Sequence, residues 1–490
     1  MRAYTNCQEF DEFSFAREQF EDLVMKLREG TTQWMEHGDI EALVEAEGRE
    51  ILRLLFQAHL DIRSENEERV ESVCGRDLIE RQHCRANCQR HLTTLFGEVV
   101  VRRLGYSGVD LNSIFPQDAR LNLPRDKYSH GLRRRIAEAV AKGAFGETYS
   151  SIKSTTGGHV PKRQIEGISR EIAQDFDAFY ARRSETEASG EGILALSCDS
   201  KGITMRHEDL RPQTRKAAEK ESHKLQTRLS RGEKRNRKRQ ATVAAIYSTL
   251  PYYRNAEEIL NKTEDRMPRP RPSEKRVWAS IEKGMEGVIE QLIEEALRRD
   301  PRQEKQWVML VDGQEAQLRL IHRITQKYKV DVVIIQDFVH VLEYLWNAAY
   351  SFYEEGSKEA ETFVYEHALG ILTGKVSEMA AGIRRSATRR RLSNSKRQAV
   401  DKCANYLLKN KKRLNYAKAL KNGWPIATGV IEGACRHLVK DRMGITGARW
   451  SLEGAEAILR LRALHINGDL EDYMHFHKQQ EQWRHYKMAA

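Results

Sequence analysis

Three carboxylates, far apart in the chain, sit where short segments of regular structure would hold them. Asp199 ends the apolar run ILALSC and is followed by the turn residues Ser-Lys-Gly. Asp312 ends a second run, QWVMLV, and is followed by Gly-Gln. Both runs read as strands of one sheet, which delivers each acid to a strand end. Glu432 lies in PIATGVIEGACRHLVKDRMGITGARWS, where Ile431, Ala434, Cys435, Leu438 and Val439 recur at helical spacing. That spacing predicts a helix with Glu432 at the margin of its buried face. Arg436 and Lys440 follow at four-residue steps, and Gly444 and Gly447 end the helix. Taken singly, an acid at a strand end ordinarily caps a turn, and Glu432 beside Arg436 is also what a solvated flank looks like. Taken together, three such carboxylates suit a divalent cation such as Mg²⁺, which takes one or two carboxylates with phosphate and water as its other ligands. Two ions about 4 Å apart would activate a water or 3′-hydroxyl and stabilise the leaving oxygen in phosphodiester chemistry.

The elements around these acids divide the chain. Residues from about 10 to 63 read as helices, with Phe20, Leu23, Val24 and Leu27 on one stripe and Ile51, Leu54, Leu55 and Leu60 on another. A polar helical stretch follows, on which His83, Cys84, Cys88 and His91 would face one another. Such residues are usually surface, though the set could hold zinc. Val99 to Val101 read as a strand. GLRRRIAEAVAKGAF and the helices after it, broken at Gly157-Gly158 and reopened by Pro161, fit a helix-turn-helix. Lys162, Arg163 and Gln164 would start its second helix, placed to meet phosphates or base edges. Beyond a linker at 184–191, ILALSCDSKGITM, ATVAAIYS and the weaker PYYRNAEEI read as strands. VWASIEKGMEGVIEQLIEEALRRD reads as an amphipathic helix with Ile281, Met285, Val288 and Leu292 inward. A strand, a helix and the strand VDVVIIQDF come next, and the order predicts a mixed sheet covered by helices. From His340 to Gly423 the pattern is helical, and SLEGAEAILRLRALHI forms a closing helix before a polar tail.

Charge adds a partner. The 490-residue chain carries a net charge of +11, with a pI of about 9.2. Arg211 to Gln240 holds 12 Lys/Arg and 3 Asp/Glu, and Arg384 to Arg413 holds 12 Lys/Arg and one Asp, so the rest of the chain is net acidic. Basicity gathered in two places is the footprint expected for a polyanion. Arg231, Lys234, Arg235, Arg237, Lys238 and Arg239 in one window, and Arg389, Arg390 and Arg391 in the other, are the candidate phosphate contacts. A solvated charge run is the plainer alternative. Seven cysteines without a CxxC pair suggest a reducing compartment. The absence of a long apolar run, and an acidic start unlike a signal peptide, predict a soluble, cytoplasmic protein.

The stretches CDSKGITMRHEDLRPQTRKAAEK, TRLSRGEKRNRKRQATVAAIY, VMLVDGQEA, IIQDFVHVLEYLWNAA and GVIEGACRHLVKDRMGITGARWSLEGAEAILRLRAL resemble the RNase H-like DDE transposases of bacterial insertion sequences, most closely the ISKra-type group. The likeness covers roughly residues 190 to 465, and TLFGEVVVRR looks like that group's N-terminal region. It implies an α+β multidomain protein: an N-terminal helical region (1–70), a DNA-binding region (71–183), an RNase H-like catalytic domain (184–340 and 424–466), an all-helical insertion (341–423) and a C-terminal tail (467–490). The cysteine-rich element that often follows the GEV strand in that group has no counterpart in GYSGVDLNSIFP, which weakens a zinc role there.

By the same resemblance Asp199 is the first acid and bridges both metals, and Glu432 is the last. Asp312 falls where the second acid belongs. Asp337 is the alternative, but with His340 it forms DFVH, similar to the C/D-x-x-H companion motif of Mutator-like relatives. The resemblance further implies two Mg²⁺ (or Mn²⁺) per site, element ends and target DNA as partners, a dimer or higher oligomer, and a nucleoid-associated setting. It also implies that an aromatic of the insertion, among Trp346, Trp424 and Trp450, can stack on an unpaired base, against an ordinary place in the core. Arg436 and Lys440, flanking Glu432, join the expected DNA contacts. Two rivals stand beside this reading: a nuclease on the same fold without strand transfer, and a non-catalytic DNA-binding derivative.

Overall fold

The computed structural model describes residues 11–183, 192–220, 237–261, 268–445 and 447–486. They form two compact units, one of residues 1–182 with 468–490 and the other of residues 183–467.

In the first unit, α1 (Ser14–Arg28) and α2 (His37–Glu65) form a helical pair. The short strands β1 (Val73–Cys74) and β2 (Glu80–Arg81) pair with each other. The three-stranded antiparallel sheet joins β3 (His83–Thr93), β4 (Glu98–Gly108) and β5 (Leu111–Ile114). Leu60 of α2 packs with Leu92, Val99, Val101 and Leu123 as its core. The stretch from His83 is therefore a strand and not the polar helix expected. Its own residues favour neither state, and pairing with the valine-rich β4 decides the matter. Cys84, Cys88, His83 and His91 thus alternate along a bulged strand.

After α3 (Pro116–Arg120) come α4 (His130–Lys142), α5 (Phe145–Thr155), α6 (Lys162–Ala173) and α7 (Phe176–Arg182). Ser129 caps α4 by accepting the Leu132 amide at 3.2 Å. Ile165, Ile168 and Ile172 of α6 are buried, which leaves Lys162, Arg163 and Gln164 exposed in its first turn. The polar segment after Asn467 is a regular helix, Leu470–Tyr486, and it belongs to this unit. Tyr180 donates to Asp469 at 2.7 Å, and Tyr473 is buried against Phe179.

The second unit is built on a five-stranded mixed sheet. Its strands are β6 (Ile193–Thr204), β7 (Lys238–Thr249), β8 (Ser273–Ser280), β9 (Gln306–Val311) and β10 (Val333–Gln336), with α8 (Pro212–Glu219) and α9 (Ala256–Leu260) between them. The spatial order is β10-β9-β6-β7-β8, parallel on the β10–β9–β6 side and antiparallel across β6–β7–β8. The number of strands is as expected, but the third lies elsewhere. PYYRNAEEI is a loop running into α9, and Val277-Trp278-Ala279-Ser280 belongs to β8, not to the helix that follows it. The apolar residues of VWAS join the helical stripe without a break, so periodicity alone does not separate them.

Two crossover helices, α10 (Gly284–Arg299) and α11 (Glu315–Tyr328), connect β8 to β9 and β9 to β10. The helical segment comprises α12 (Phe338–Ala349), α13 (Lys358–Leu372), α14 (Val376–Arg389), α15 (Asn394–Asn410) and α16 (Tyr416–Lys421), and shares a core with Val308, Leu310 and Ile335 of the sheet. Then α17 (Gly429–Ala434) runs through a π-helical turn, Cys435–Lys440, into α18 (Asp441–Met443), and α19 (Leu452–Asn467) closes the unit. The five predicted stripe residues from Ile431 to Val439 are all buried. Among the described residues no helix is long and apolar enough to cross a membrane.

Candidate active site

Three acids lie level at one end of the sheet. β6 and β9 pair in parallel with Ser197 opposite Leu310, so the register carried two residues further sets Asp199 beside Asp312. β9 and β10 pair with Val311 opposite Gln336, which sets Asp312 beside Asp337, and the Asp337 amide donates to the Val311 carbonyl at 2.8 Å. Level residues of parallel strands point to the same face. The neighbouring Cys198 points the other way, where the Gln317 amide of α11 lies 3.2 Å from its sulfur. Burial pushes the Cys198 thiol up to about 12.

The helix α17 and the turn after it pack on β6 and β7, beside Asp199. The Cys435 thiol, one helical turn after Glu432, donates to Asp199 Oδ2 at 3.2 Å. Burial raises the pKa of that thiol, and Asp199 raises it further, which keeps the proton on sulfur. The other Asp199 oxygen accepts the Ser200 amide at 2.6 Å. Asp312 Oδ1 accepts the Gln314 amide at 3.0 Å, an ordinary turn at the start of α11, and leaves Oδ2 with no hydrogen bond among the described residues. Glu432 is exposed, and its Oε1 lies 3.5 Å from the Thr428 hydroxyl. Among the described residues none of Asp199, Asp312 and Glu432 forms an ion pair.

Asp337 differs from the other acids. It is fully buried, caps α12 through the Val339 amide at 3.1 Å, and accepts both the amide and the hydroxyl of Thr428. Sequence alone marks Asp337 as a strand-end acid; it does not reveal that the carboxylate is spent on holding the residue ahead of α17. His340, one turn into α12, bonds Glu343 at 3.1 Å. Burial disfavours its imidazolium, but Glu343, Asp337 and Asp312 outweigh burial and raise its pKa. His340 and Asp312 share a cleft of about 710 Å³ with Tyr344, Asn347, Gln398 and Lys402, between the sheet end, α12 and α15. Tyr344 is stacked on Tyr406 at 3.9 Å.

The expected DNA contacts are scattered. Lys162, Arg163 and Gln164 are exposed at the start of α6. Arg231, Lys234 and Arg235 lie outside the described residues. Arg237 immediately precedes β7, and Lys238 and Arg239 open it, with Arg239 donating to the Ile281 carbonyl at 3.2 Å. Arg389, Arg390 and Arg391 are exposed at the end of α14. Arg390 is partly used, since it donates to the Tyr353 hydroxyl at 2.7 Å. Arg436 and Lys440 are exposed on the Glu432 helix, and Arg436 lies 3.9 Å from Asp441. Trp424 and Trp450 are core residues, and Trp346 packs partly buried against the helical core.

Among the described residues, one set of three potential ligands has its atoms within 4.8 Å of one another: Asp175, His477 and Glu481, all buried in the first unit. Arg484 bridges Asp175, at 2.5 Å, and Glu481, and so supplies the positive charge a cation would bring. Asp199, Asp312 and Glu432 do not meet that single-ion spacing. A pair of ions about 4 Å apart spans a wider set of ligands, so the spacing rule for one ion does not exclude a two-ion site.

No protein-family profile and no curated protein matches the chain. Among solved structures, a Drosophila P element transposase strand transfer complex aligns with 9% identity over 70% of this chain and 80% of that one, at a TM-score of 0.23. An overlap that loose carries no argument about fold or function.

Proposed function

We propose that the chain is a DNA transposase of the RNase H-like DDE class, acting through Asp199, Asp312 and Glu432. The observation that carries this reading is the strand register that brings Asp199 and Asp312 to one end of the sheet, with Asp199 bonded to Cys435 one turn after Glu432. The mixed sheet with its crossover helices supports the fold class, and the sequence likeness supports the ISKra-type group. The three acids suit hard divalent cations, since each offers carboxylate oxygen and none has a cationic partner among the described residues. Two Mg²⁺ or Mn²⁺ held there would polarise the scissile phosphate and activate a water or 3′-hydroxyl. Asp312 is assigned as the second acid because it opens onto the cleft, whereas Asp337 is buried and occupied. Asp337 positions Thr428 and the Glu432 helix, and His340, held by Glu343, faces the same cleft.

The remaining roles follow the expectation from sequence: Lys162, Arg163 and Gln164 meet the terminal inverted repeats, and paired ends require a dimer or higher oligomer. The test uses DNA flanking the gene. Glu432→Gln should bind that DNA as the wild type does and lose Mg²⁺-dependent strand cleavage and joining. Cleavage by that variant at the wild-type rate would refute the assignment.

A further inference from the structure

The far flank of the Glu432 helix borders a second groove, of about 420 Å³, between α17 and the segment leading into β8. Gly429 and Gly433 form one wall, and Arg269, Arg271 and Lys275 line the other, with His437 one turn beyond Gly433. Three features make this groove unlike an ordinary packing defect. A Cβ built on Gly429 or Gly433 meets no atom within 4 Å, so at these two positions, beside Val430 and Ala434, a ligand can approach the helix backbone closely. Arg269, Arg271 and Lys275 are exposed, and among the described residues none forms an ion pair. His437, by contrast, is held by Asp441 at 2.9 Å. The helix also joins the groove to the acids. Gly429, Gly433 and His437 recur every four residues, and Glu432 and Arg436 form the neighbouring row one residue back.

The geometry points to this groove as a track for the phosphodiester backbone of DNA. A strand seated between the helix wall and Arg269, Arg271 and Lys275 would cross the helix past Arg436 on its way to Glu432. Three cations along one groove, facing helix backbone left open at two glycines, favour phosphates that repeat along a strand over a single compact anion. The sequence windows richest in Lys and Arg do not contain these three residues: Arg269 and Arg271 alternate with prolines ahead of β8, and Lys275 lies near its start. The proposal rests on the transposase reading for its choice of DNA, and its test is separate from catalysis.

The experiment is fluorescence anisotropy of a labelled duplex from the gene's flank, titrated with the full chain in EDTA over a range of salt. Arg271→Ala with Lys275→Ala should weaken binding roughly fivefold or more and flatten the salt dependence by about 2 log units per log unit, as for two lost phosphate contacts. Gly433→Leu fills the groove where there is room for a side chain, so it should weaken binding comparably with the circular dichroism spectrum and melting temperature unchanged. Should the double variant fold poorly, Gly433→Leu decides alone. Wild-type affinity and salt slope in the folded variants would overturn the proposal. Weak binding by these variants beside a Glu432→Gln chain that still cuts would uphold the groove and remove the acid assignment. The converse pair of results would do the opposite.

Discussion

The buried carboxylate of Asp337 accepts the Thr428 amide at 3.3 Å and the Thr428 hydroxyl as well, and so ties the start of α12 to the start of α17. Thr428 immediately precedes the helix that carries Glu432, and its hydroxyl lies 3.5 Å from that acid's Oε1. One side chain therefore sets the position of another that it never touches. Removing the hydroxyl with Thr428→Val should leave all three proposed metal acids in place yet lower the cleavage rate by roughly an order of magnitude through misplacement of Glu432. It should also destabilise the fold by about 1.5–3 kcal/mol, the range for a buried hydrogen bond to a charged group. Cleavage kinetics and the urea midpoint test both parts, and Thr428→Ser should restore the rate. Equal rates for Thr428→Val and the wild type would show that Asp337 does not act through Thr428.

Much of this arrangement is legible in the sequence, and the exceptions have physical causes. The stripe from Ile431 to Val439 is visible because five apolar residues at helical spacing outvote any local preference. β6 and β9 are visible because both faces of a central parallel strand are buried, which writes an unbroken apolar run. β3 was hidden because its pairing partner supplies the hydrophobic residues and it supplies few. The level placement of Asp199, Asp312 and Asp337 depends on register between strands distant in sequence, β6 and β9 above all, which no local pattern encodes. The difference between Asp312 and Asp337 is a matter of burial and partners. Both are acids after a strand, and only the approach of Thr428 separates them.

His130 is expected to make the first unit less stable in acid. Burial holds its pKa down to about 4, and Arg133, His477 and Lys478 add to that, while the hydrogen bond to the Asn122 carbonyl at 2.9 Å opposes them only in part. A histidine depressed in the folded state binds its proton more readily once unfolded. Its contribution to stability is therefore complete above the ordinary value of 6.5 and is lost as pH falls towards about 4. Between about pH 6.5 and pH 5 the loss should be on the order of 2 kcal/mol. Urea unfolding at the two pH values measures it, and His130→Gln, which keeps a donor without a titrating ring, should remove most of the difference. An unchanged pH dependence in that variant would assign the acid sensitivity to other groups.

Cys435 offers a test of how closely α17 lies on β6. Its thiol is buried and bonded to Asp199 Oδ2 at 3.2 Å, and burial with the adjacent carboxylate keeps it protonated at neutral pH. The thiolate is the reactive form, so iodoacetamide at about pH 8 should leave Cys435 unmodified in the folded chain and label it in urea. Peptide mass spectrometry reads both states. Cys435→Ser keeps a donor of similar size and should retain most of the cleavage activity. Cys435→Val removes the donor and crowds the carboxylate with a methyl group. It should lower cleavage severalfold with DNA binding intact, since Asp199 would then be held by its own backbone alone. Rapid labelling of Cys435 in the folded chain, or a valine variant as active as the serine one, would mean that the Glu432 helix does not rest on Asp199 in solution.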